Sequence, residues 1–420
     1  MEITVEKTTS QKLRKIYVIA WIFGLVFYFL EYAVRSAPAV MIPELSDIFG
    51  VSTIGVSAIL GTYYYTYSVT SLVSGITLDK IGAKYTIPAG LFILGLGCFL
   101  FSIPNTFAGN AGRLLQGAGS AFAFTGCVYL ATHGFSSRSL ATAIGFTQCL
   151  GMLGGSAGQF AVGPLVHSVL SVYGFWIYAA IASLVVGVAL FLVTPSEPKS
   201  PGNNQEPKTP LLQPYKIVFT NPQSYLCGIV SGLLFAPTTI FIMTWGVAFF
   251  EQDLGFSYQQ ATLVSSMVPL GWVIGCPLLG WFADKIGRRK PALLAGALLM
   301  LLSLAQLIFL PGLLPAAASR LLFGIGSGAA MIPYSVIKEA NPDQVKGSAT
   351  GAINFLTFGV TALLGPVFTR YYGQSLATIT NHEAHFQASG IFWMFIIVAA
   401  MGLSLLLQET GPAVKNPAVR

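Results

Sequence analysis

The chain has 420 residues, of which 54% are hydrophobic and only 9% are charged, and its formal net charge is +7. A soluble domain carries about 25% charged residues because its surface faces water, so this composition excludes an ordinary soluble protein. Apolar runs long enough to cross a hydrocarbon layer roughly 30 Å thick recur along the whole length. We therefore expect a protein that lies mostly in lipid.

About twelve of these apolar runs are predicted to be transmembrane helices. Strands of a barrel would alternate apolar and polar residues, and the runs show no such alternation. The predicted spans lie near 16–38, 54–78, 86–104, 107–132, 140–166, 172–194, 224–250, 257–283, 291–311, 314–337, 347–369 and 388–408. Pro237 and Pro366 are expected to bend the helices that contain them.

Basic residues fall on one side of this predicted topology. Of the 22 Lys and Arg residues, all but Arg35, Arg113, Arg320 and Arg370 flank the spans on the side of the two termini. Positively charged loops stay cytoplasmic, so both termini are predicted to be cytoplasmic, in a bacterial inner membrane. The net charge then reflects topology, and no nucleic-acid partner is expected, because binding would need a basic face on a soluble surface.

One long polar stretch divides the chain. Residues 195–223 are rich in Pro, Lys, Glu and Asn, a composition that cannot bury enough apolar surface to fold. We expect this stretch to be a cytoplasmic linker between an amino-terminal bundle, 1–194, and a carboxy-terminal bundle, 224–420.

The two parts repeat the same short motifs. The segment 75–84, Gly-Ile-Thr-Leu-Asp-Lys-Ile-Gly-Ala-Lys, reappears at 280–289 as Gly-Trp-Phe-Ala-Asp-Lys-Ile-Gly-Arg-Arg. The segment 113–120, Arg-Leu-Leu-Gln-Gly-Ala-Gly-Ser, reappears at 320–327 as Arg-Leu-Leu-Phe-Gly-Ile-Gly-Ser. Because the offset is nearly constant, duplication of a six-helix unit is the natural interpretation.

The motif at 75–84 and 280–289 resembles the signature of the major facilitator superfamily. The resemblance implies an all-α membrane protein with twelve helices in two six-helix bundles and a cavity between the bundles that opens alternately to each side. It also implies a transporter, not an enzyme, that functions as a monomer. Carboxylates at helix ends can bond neighbouring helix termini, and glycines permit close helix contact. The alternative is a structural turn with solvated charges. The predicted gating residues are Gly75, Asp79, Lys80, Gly280, Asp284, Lys285, Arg288 and Arg289.

Ionisable residues inside the membrane are functional candidates, because burying one costs at least ~2.5 kcal/mol at a helix centre. Glu31 and Arg35 lie four residues apart on the first helix, and Arg113 lies at a similar depth on the fourth. We predict that Glu31 is the proton-coupling carboxylate and that Arg35 and Arg113 are its exchangeable partners. The alternative is that Glu31 and Arg35 simply neutralise each other.

Arg320 is predicted to bind an anionic group of the substrate. The repeat places Thr238 where the first part has Glu31, so Arg320 has no obvious acid in its own half. An unpaired cation is costly unless a ligand compensates it, which favours a substrate carboxylate or phosphate. The alternative is that Arg320 donates hydrogen bonds to helix-end carbonyls and supports the fold.

Polar and aromatic residues within the spans are further candidates for substrate binding, the alternative being helix-to-helix hydrogen bonding or packing. These residues are Tyr64, Tyr67, Gln116, Gln148, Gln159, Thr238, Thr239, Trp245 and Asn354. No P-loop is present, so no ATP hydrolysis is expected, and the proton gradient is the predicted energy source with no cofactor. No metal site is predicted, since the histidines have no ligand set around them.

The segments 29–38, 63–65 and 337–351 are similar to those of bacterial importers that include phagosomal nutrient transporters, near organic-anion and sugar-phosphate permeases. This resemblance implies uptake of a small polar metabolite, an amino acid or an organic anion. Three arginines and one acid in the cavity agree with a carboxylate-bearing solute. The alternatives are export of a siderophore or drug, although the ordered Gly-Pro-x-x-Gly-Gly of drug antiporters is absent, and a membrane sensor that does not transport.

Overall fold

The computed structural model describes residues 2–135, 137–196, 212–342, 345–379 and 381–415. Within these ranges every regular element is helical. Ten helices are long and apolar enough to cross a membrane, or eleven if the pair Ile42–Phe49 and Thr53–Leu78, bent by 97°, forms one span. The all-helical membrane fold is confirmed, whereas the twelve spans and the cytoplasmic termini stay predictions.

The helices of the first part begin where sequence chemistry favours a start. Asn105 and Ser171, for example, accept backbone N–H groups at the starts of two helices and so satisfy donors that a helix leaves free. The elements are α1 (Glu2–Ser36), α2 (Ile42–Phe49), α3 (Thr53–Ile81), α4 (Ala83–Phe101), α5 (Thr106–Gly134), α6 (Ser137–Phe160), α7 (Val162–Ser168) and α8 (Val172–Val193).

The second part contains interrupted helices. Its elements are α9 (Gln213–Thr220), α10 (Pro222–Ala236), α11 (Gly246–Ala248), α12 (Tyr258–Ile286), α13 (Lys290–Phe309), α14 (Ala316–Ser327), α15 (Ile332–Glu339), α16 (Lys346–Thr378), α17 (His382–Ser404) and α18 (Pro412–Lys415). The predicted span 224–250 is irregular, because π-helical turns begin at Pro237 and again at Phe249. Pro366 instead lies within the unbroken helix α16.

Equivalent helices pack in equivalent pairs in the two parts. In the first part α1 packs on α6, α3 and α4 pack on α5, and α4 packs on α8. In the second part α10 packs on α16, α12 and α13 pack on α14, and α13 packs on α17. The two parts therefore repeat the same helix packing as well as the same sequence motifs.

Two seams join the parts, one between α3 and α16 and the other between α6 and α12. We call the end where α12 meets α13 the basic end, after Arg288, Arg289 and Lys290. The opposite end, where α1 stops, is the far end. There Tyr258 Oη donates a hydrogen bond of 2.9 Å to the carbonyl oxygen of Val40 and ties α12 to the first part.

The predicted linker is partly folded. Residues 197–211 lie outside the described residues, but residues 213–220 form helix α9. Tyr215 and Val218 are buried, and Tyr215 Oη donates a hydrogen bond of 3.2 Å to the carbonyl oxygen of Leu72 on α3. The expectation that this whole stretch cannot fold was therefore wrong, because its last turns carry apolar side chains that pack on the α3–α16 seam.

Glycine allows the closest helix approach within the second part. An added Cβ on Gly324 of α14 would overlap backbone atoms of Val268 and Gly271 on α12. At Gly402 of α17 an added Cβ would meet no atom within 4 Å. Backbones can approach this closely only where small residues such as glycine face the neighbouring helix.

We predict that Gly324→Ala lowers the free energy of unfolding by about 1–3 kcal/mol, because α12 and α14 would have to separate. Gly402→Ala is the matched control and should be neutral or slightly stabilising, since alanine favours helix. Thermal unfolding in detergent would measure both. Equal stability of the two variants would contradict a close contact between α12 and α14 at Gly324.

Candidate functional site

A buried ion pair lies in the last turns of α1. Glu31 and Arg35 lie one turn apart on α1, and Arg35 Nη2 donates to Glu31 Oε1. Both side chains are fully buried. Tyr63 on α3 completes the contact: its hydroxyl donates to Glu31 Oε1 at 2.5 Å and accepts from Arg35 Nε at 3.1 Å. Charges that are removed from water need such hydrogen bonds, because attraction alone seldom offsets desolvation.

Aromatic rings enclose the Arg35 guanidinium. Its carbon lies 4.3 Å from the ring centre of Tyr32, 4.7 Å from that of Tyr67 and 5.2 Å from that of Phe358. A cation above an aromatic face is stabilised by the ring's quadrupole, more strongly where water is excluded. Phe358 belongs to α16, so the second part of the chain contributes directly to the environment of a charge on α1.

Arg113 joins this cluster through Tyr63 rather than through Glu31. Its guanidinium carbon lies 4.8 Å from the ring centre of Tyr63. Arg113 Nη1 donates to Gln116 Oε1 at 2.7 Å and, at 3.5 Å, to the carbonyl oxygen of Val34 on α1. Gln116 in turn donates to the carbonyl oxygen of Gly97 at 3.3 Å. The structure thus brings Glu31, Arg35 and Arg113 together, with Tyr63 between the acid and the second arginine.

Several polar atoms in this cluster are free to form a further hydrogen bond. Within the described ranges Glu31 Oε2, Arg35 Nη1 and Arg113 Nε are buried without a hydrogen-bond partner. A buried group left unbonded costs about 1–3 kcal/mol, and more if it is charged. An anionic group that entered the cluster could therefore accept hydrogen bonds from the two unbonded guanidinium nitrogens.

Arg320 on α14 is buried among phenylalanines. Its guanidinium carbon lies 4.8 Å from the ring centre of Phe241, 4.9 Å from that of Phe250 and 5.9 Å from that of Phe323. Among the residues that the structure describes, none accepts a hydrogen bond from Nε, Nη1 or Nη2 of Arg320. The alternative of helix-end carbonyl partners is not observed.

The predicted neutral residues divide into two groups. The first group forms helix-to-helix bonds: Gln148 accepts from Tyr28 at 3.1 Å, Thr238 accepts from Trp272 at 3.0 Å, and Asn354 accepts from Tyr334 at 2.5 Å. Gln159 donates to the carbonyl oxygen of Ile242 at 3.2 Å, which ties the two parts together near the far end. These amides and hydroxyls hold the helices that surround the charges.

The second group lies beside open space, beside aromatic rings or against the backbone of its own helix. Tyr64 and Trp245 line a cavity of about 730 Å³ between α3 and α16, which we call the far vestibule. Tyr67 stacks on Tyr63 with ring centres 5.7 Å apart. Thr239 donates to backbone carbonyl oxygens of its own helix. A smaller cavity of about 200 Å³ lies between α3, α5 and α16 at the basic end, so the charge cluster lies between two cavities.

The second copy of the repeated motif forms an ionic clasp at the basic end. Arg289 donates to both carboxylate oxygens of Glu339, at 3.2 and 2.7 Å, and to Asp284 at 2.6 Å. The bonds to Glu339, followed by those to Asp284, raise the pKa of Arg289 above its ordinary value. The clasp joins the α12–α13 junction to the end of α15. Glu409 adds to it by accepting the backbone N–H of Arg289 at 2.7 Å.

The other predicted gating residues behave differently. Lys285 lies 4.8 Å above the ring of Trp281, and Arg288 is exposed. Gly75 faces Tyr215 of α9, whereas an added Cβ on Gly280 would meet nothing within 4 Å. The expectation of close helix contact at Gly280 was wrong, because this glycine faces open space. The side chains of Asp79 and Lys80 lie outside the described residues.

Sequence reasoning missed some of the important contacts. It selected Tyr64 rather than Tyr63, although Tyr63 and Tyr67 share a helix face at a spacing of four residues, which could have revealed the pair. His385 Nδ1 lies 2.8 Å from Asp253 Oδ2, both side chains being buried, and no local pattern joins residues so distant along the chain. The described residues contain no group of three His, Cys, Asp or Glu able to hold a metal.

A family model decides the assignment. The model described as Major Facilitator Superfamily matches residues 24–366 and 229–420, which together cover most of the chain. The chain belongs to the major facilitator superfamily. It is therefore a multi-pass membrane protein of a transporter family, and not of an enzyme family.

Similar proteins span nearly the whole of this major facilitator. The membrane sensor protein UhpC of Escherichia coli (strain K12) is 26% identical over 94% of this chain and 91% of its own length. The probable hexose phosphate transport protein of Chlamydia pneumoniae is 23% identical over 94% of this chain and 90% of its own length. A bacterial homolog to the human lysosomal transporter Spinster, solved in an inward-facing, unoccupied conformation, matches with a TM-score of 0.71 at 14% identity, covering 93% of this chain and 97% of that one. At this identity the structural match shows the fold alone.

We predict that Tyr63→Phe lowers the free energy of unfolding by about 1–2 kcal/mol, because the hydroxyl bonds a buried acid and a buried arginine. Tyr178→Phe is the matched control, since Tyr178 is exposed on α8 and should tolerate the loss within about 0.5 kcal/mol. Thermal unfolding in detergent would compare them. Two equal shifts would contradict a structural role of the Tyr63 hydroxyl.

Proposed function

We propose that this major facilitator is a proton-coupled importer of a small organic anion in a bacterial inner membrane. The observation that carries the proposal is the buried Glu31–Arg35 pair. In this pair Glu31 Oε2 could receive a proton and Arg35 Nη1 could donate to an incoming anion, because neither atom has a hydrogen-bond partner in the described structure. The proton gradient would supply the energy, and a monomer would suffice. The basic end would face the cytoplasm, as the asymmetry of Lys and Arg indicates.

Charge balance around Arg35 supports coupling between proton uptake and anion binding. When Glu31 accepts a proton, Arg35 loses its neutralising partner and its desolvated charge favours an incoming anion. When the anion leaves, Glu31 must release the proton and pair again with Arg35. Tyr63 bonds both groups and can hold either one in place during the exchange.

The arginines favour an anionic solute. Among the described residues, the buried guanidiniums of Arg35, Arg113 and Arg320 outnumber the one buried acid that pairs with an arginine, Glu31. Guanidinium groups match the paired oxygens of carboxylates and phosphates. One relative is named a probable hexose phosphate transport protein, so phosphorylated sugars belong with organic acids and amino acids among the solutes to test.

A membrane sensor is the second candidate, because the relative UhpC bears that name and matches over 94% of this chain. A sensor would bind its ligand without moving it. Ligand binding in vesicles without ligand-dependent flux would favour this second function. Export of a siderophore or drug has no comparable support in the site.

The first prediction for transport concerns Glu31. In proteoliposomes an inward proton gradient should drive uptake of one solute class from a panel of hexose phosphates, organic acids, amino acids and nucleosides. Glu31→Gln should abolish proton movement and gradient-driven uptake, because glutamine cannot carry the proton, while solute exchange across the membrane continues. A pH-sensitive dye inside the vesicles and labelled solute would measure both.

Glu383→Gln is the matched control, since Glu383 is exposed at the start of α17 and should leave coupling unchanged. Full proton-driven uptake in Glu31→Gln would overturn the coupling role and leave a uniporter or exchanger. Absence of uptake for every solute, together with retained binding, would instead point to the sensor.

The second prediction concerns Arg320. Arg320→Met should raise the half-saturating solute concentration at least tenfold and yet raise the unfolding temperature, because it removes a buried charge without hydrogen-bond partners in the described structure. Uptake kinetics and thermal unfolding would measure the two effects. A lower unfolding temperature with unchanged affinity would show that Arg320 supports the fold.

A further inference from the structure

The far vestibule has polar side chains on several of the helices that line it. It lies between the first half of α3, the start of α5, the π-helical segment before α11 and the second half of α16. Its polar and aromatic lining residues are Ser57, Thr62, Tyr64, Tyr65, Thr106, Asn110, Thr244, Trp245, Thr361, Thr369 and Arg370. A cavity of this size, about 730 Å³, is large enough for a small metabolite.

Arg370 is the charged residue among those that line the vestibule. It is exposed, and no described Asp or Glu forms an ion pair with it. Its position sets it apart as well, because the other arginines and lysines of the described ranges lie at the basic end or within the buried interior. The far end also has the acids Glu44, Asp47, Glu251 and Glu383, but none of them lines the vestibule, so Arg370 gives this opening a positive local charge that attracts anions.

Two buried donors complete the cavity. Trp245 is 1% exposed and Ser57 is 4% exposed, and both line the vestibule. Trp245 Nε1 and Ser57 Oγ have no hydrogen-bond partner within the described part of the chain. Since buried donors are costly when unbonded, these two atoms favour a ligand that carries acceptor oxygens.

The vestibule reaches the charge cluster. Its inner wall includes Tyr64, whose ring is stacked parallel to Phe358 at 6.3 Å and lies 5.2 Å from the ring of Tyr63. Phe358 and Tyr63 both contact the Arg35 guanidinium. One layer of aromatic side chains therefore separates the vestibule from the buried arginine.

We infer that the far vestibule is a capture site for a hydroxylated organic anion of the hexose phosphate or sugar acid class. Arg370 binds the anionic group, the Trp245 indole N–H and the Ser57 hydroxyl bind sugar hydroxyls, and Tyr64 covers the ring. The anion then passes Tyr64 and Phe358 to reach Arg35. This inference rests on the proposed function and names the first site that the solute meets.

Kinetics test the inference with hexose 6-phosphate as the probe. Arg370→Gln should raise KM roughly tenfold with kcat nearly unchanged, because it weakens capture and leaves the coupling residues intact. Arg370→Lys should restore much of the affinity. Arg14→Gln, which removes an exposed charge in the first half of α1, is the matched control and should behave as the unaltered protein.

Labelling tests the site without transport. A membrane-impermeant maleimide, applied from outside, should label Thr369→Cys, at a partly exposed lining position next to Arg370, above the background of the native cysteines. Hexose 6-phosphate should protect that cysteine, and Arg370→Gln should remove the protection. Glu31→Gln should leave the protection intact, so a failure of coupling and a failure of capture are distinguishable.

A lipid phosphate could also bind Arg370, and the vesicle composition separates the two sources. Protection should be the same in neutral phosphatidylcholine vesicles and in vesicles that contain anionic phosphatidylglycerol. Protection by phosphatidylglycerol alone, or uptake with an unchanged KM in Arg370→Gln, would overturn the capture site.

Discussion

The buried charge of Arg35 constrains the whole molecule. A guanidinium in a medium of low polarity is costly unless it is paired and hydrogen-bonded, and removing one member of such a pair typically costs about 3–5 kcal/mol. Glu31 supplies the pair, Tyr63 links both groups, and Phe358 closes the aromatic enclosure from α16. A ligand that enters this region has to replace one of these contacts. In the proposed mechanism, the need for neutrality around Arg35 is what would link the proton to the solute.

The packing of the helices places this cluster between two cavities. Along α3 and α16 the Arg35 enclosure lies between the far vestibule and the smaller cavity at the basic end. Phe358 is on the α3–α16 seam, so a movement of one part against the other changes the surroundings of Arg35. At the basic end Arg289 clasps Glu339, and that clasp belongs to the second part alone. The charge cluster and the α3–α16 seam thus share the side chain of Phe358, through which the proposed alternating access would act on Arg35.

The sequence predicts the features that depend on single segments and misses those that depend on how the helices pack. Hydropathy, the distribution of Lys and Arg and the repeated motif are properties of single segments, so the helices and the family follow from them. Glu31 and Arg35 were predicted to pair because they are four residues apart on one helix. The hydrogen bonds of Tyr63 to Glu31 and Arg35 were not predicted, because they depend on the rotation of α3 against α1. Helix α9 was also missed, since the polar composition of the predicted linker concealed two buried side chains, Tyr215 and Val218.

Infrared difference spectroscopy of the purified protein would test the exchange at Glu31 most directly. Spectra recorded with and without hexose 6-phosphate, at a series of pH values, report protonation of individual carboxyl groups. If Glu31 takes up a proton as the solute binds, the difference spectrum should contain a protonated carboxylic-acid band that is absent from Glu31→Gln and present in Glu383→Gln. A solute-induced spectrum without this band, in a protein that binds and transports the solute, would show that Glu31 stays ionised and would contradict its role in coupling.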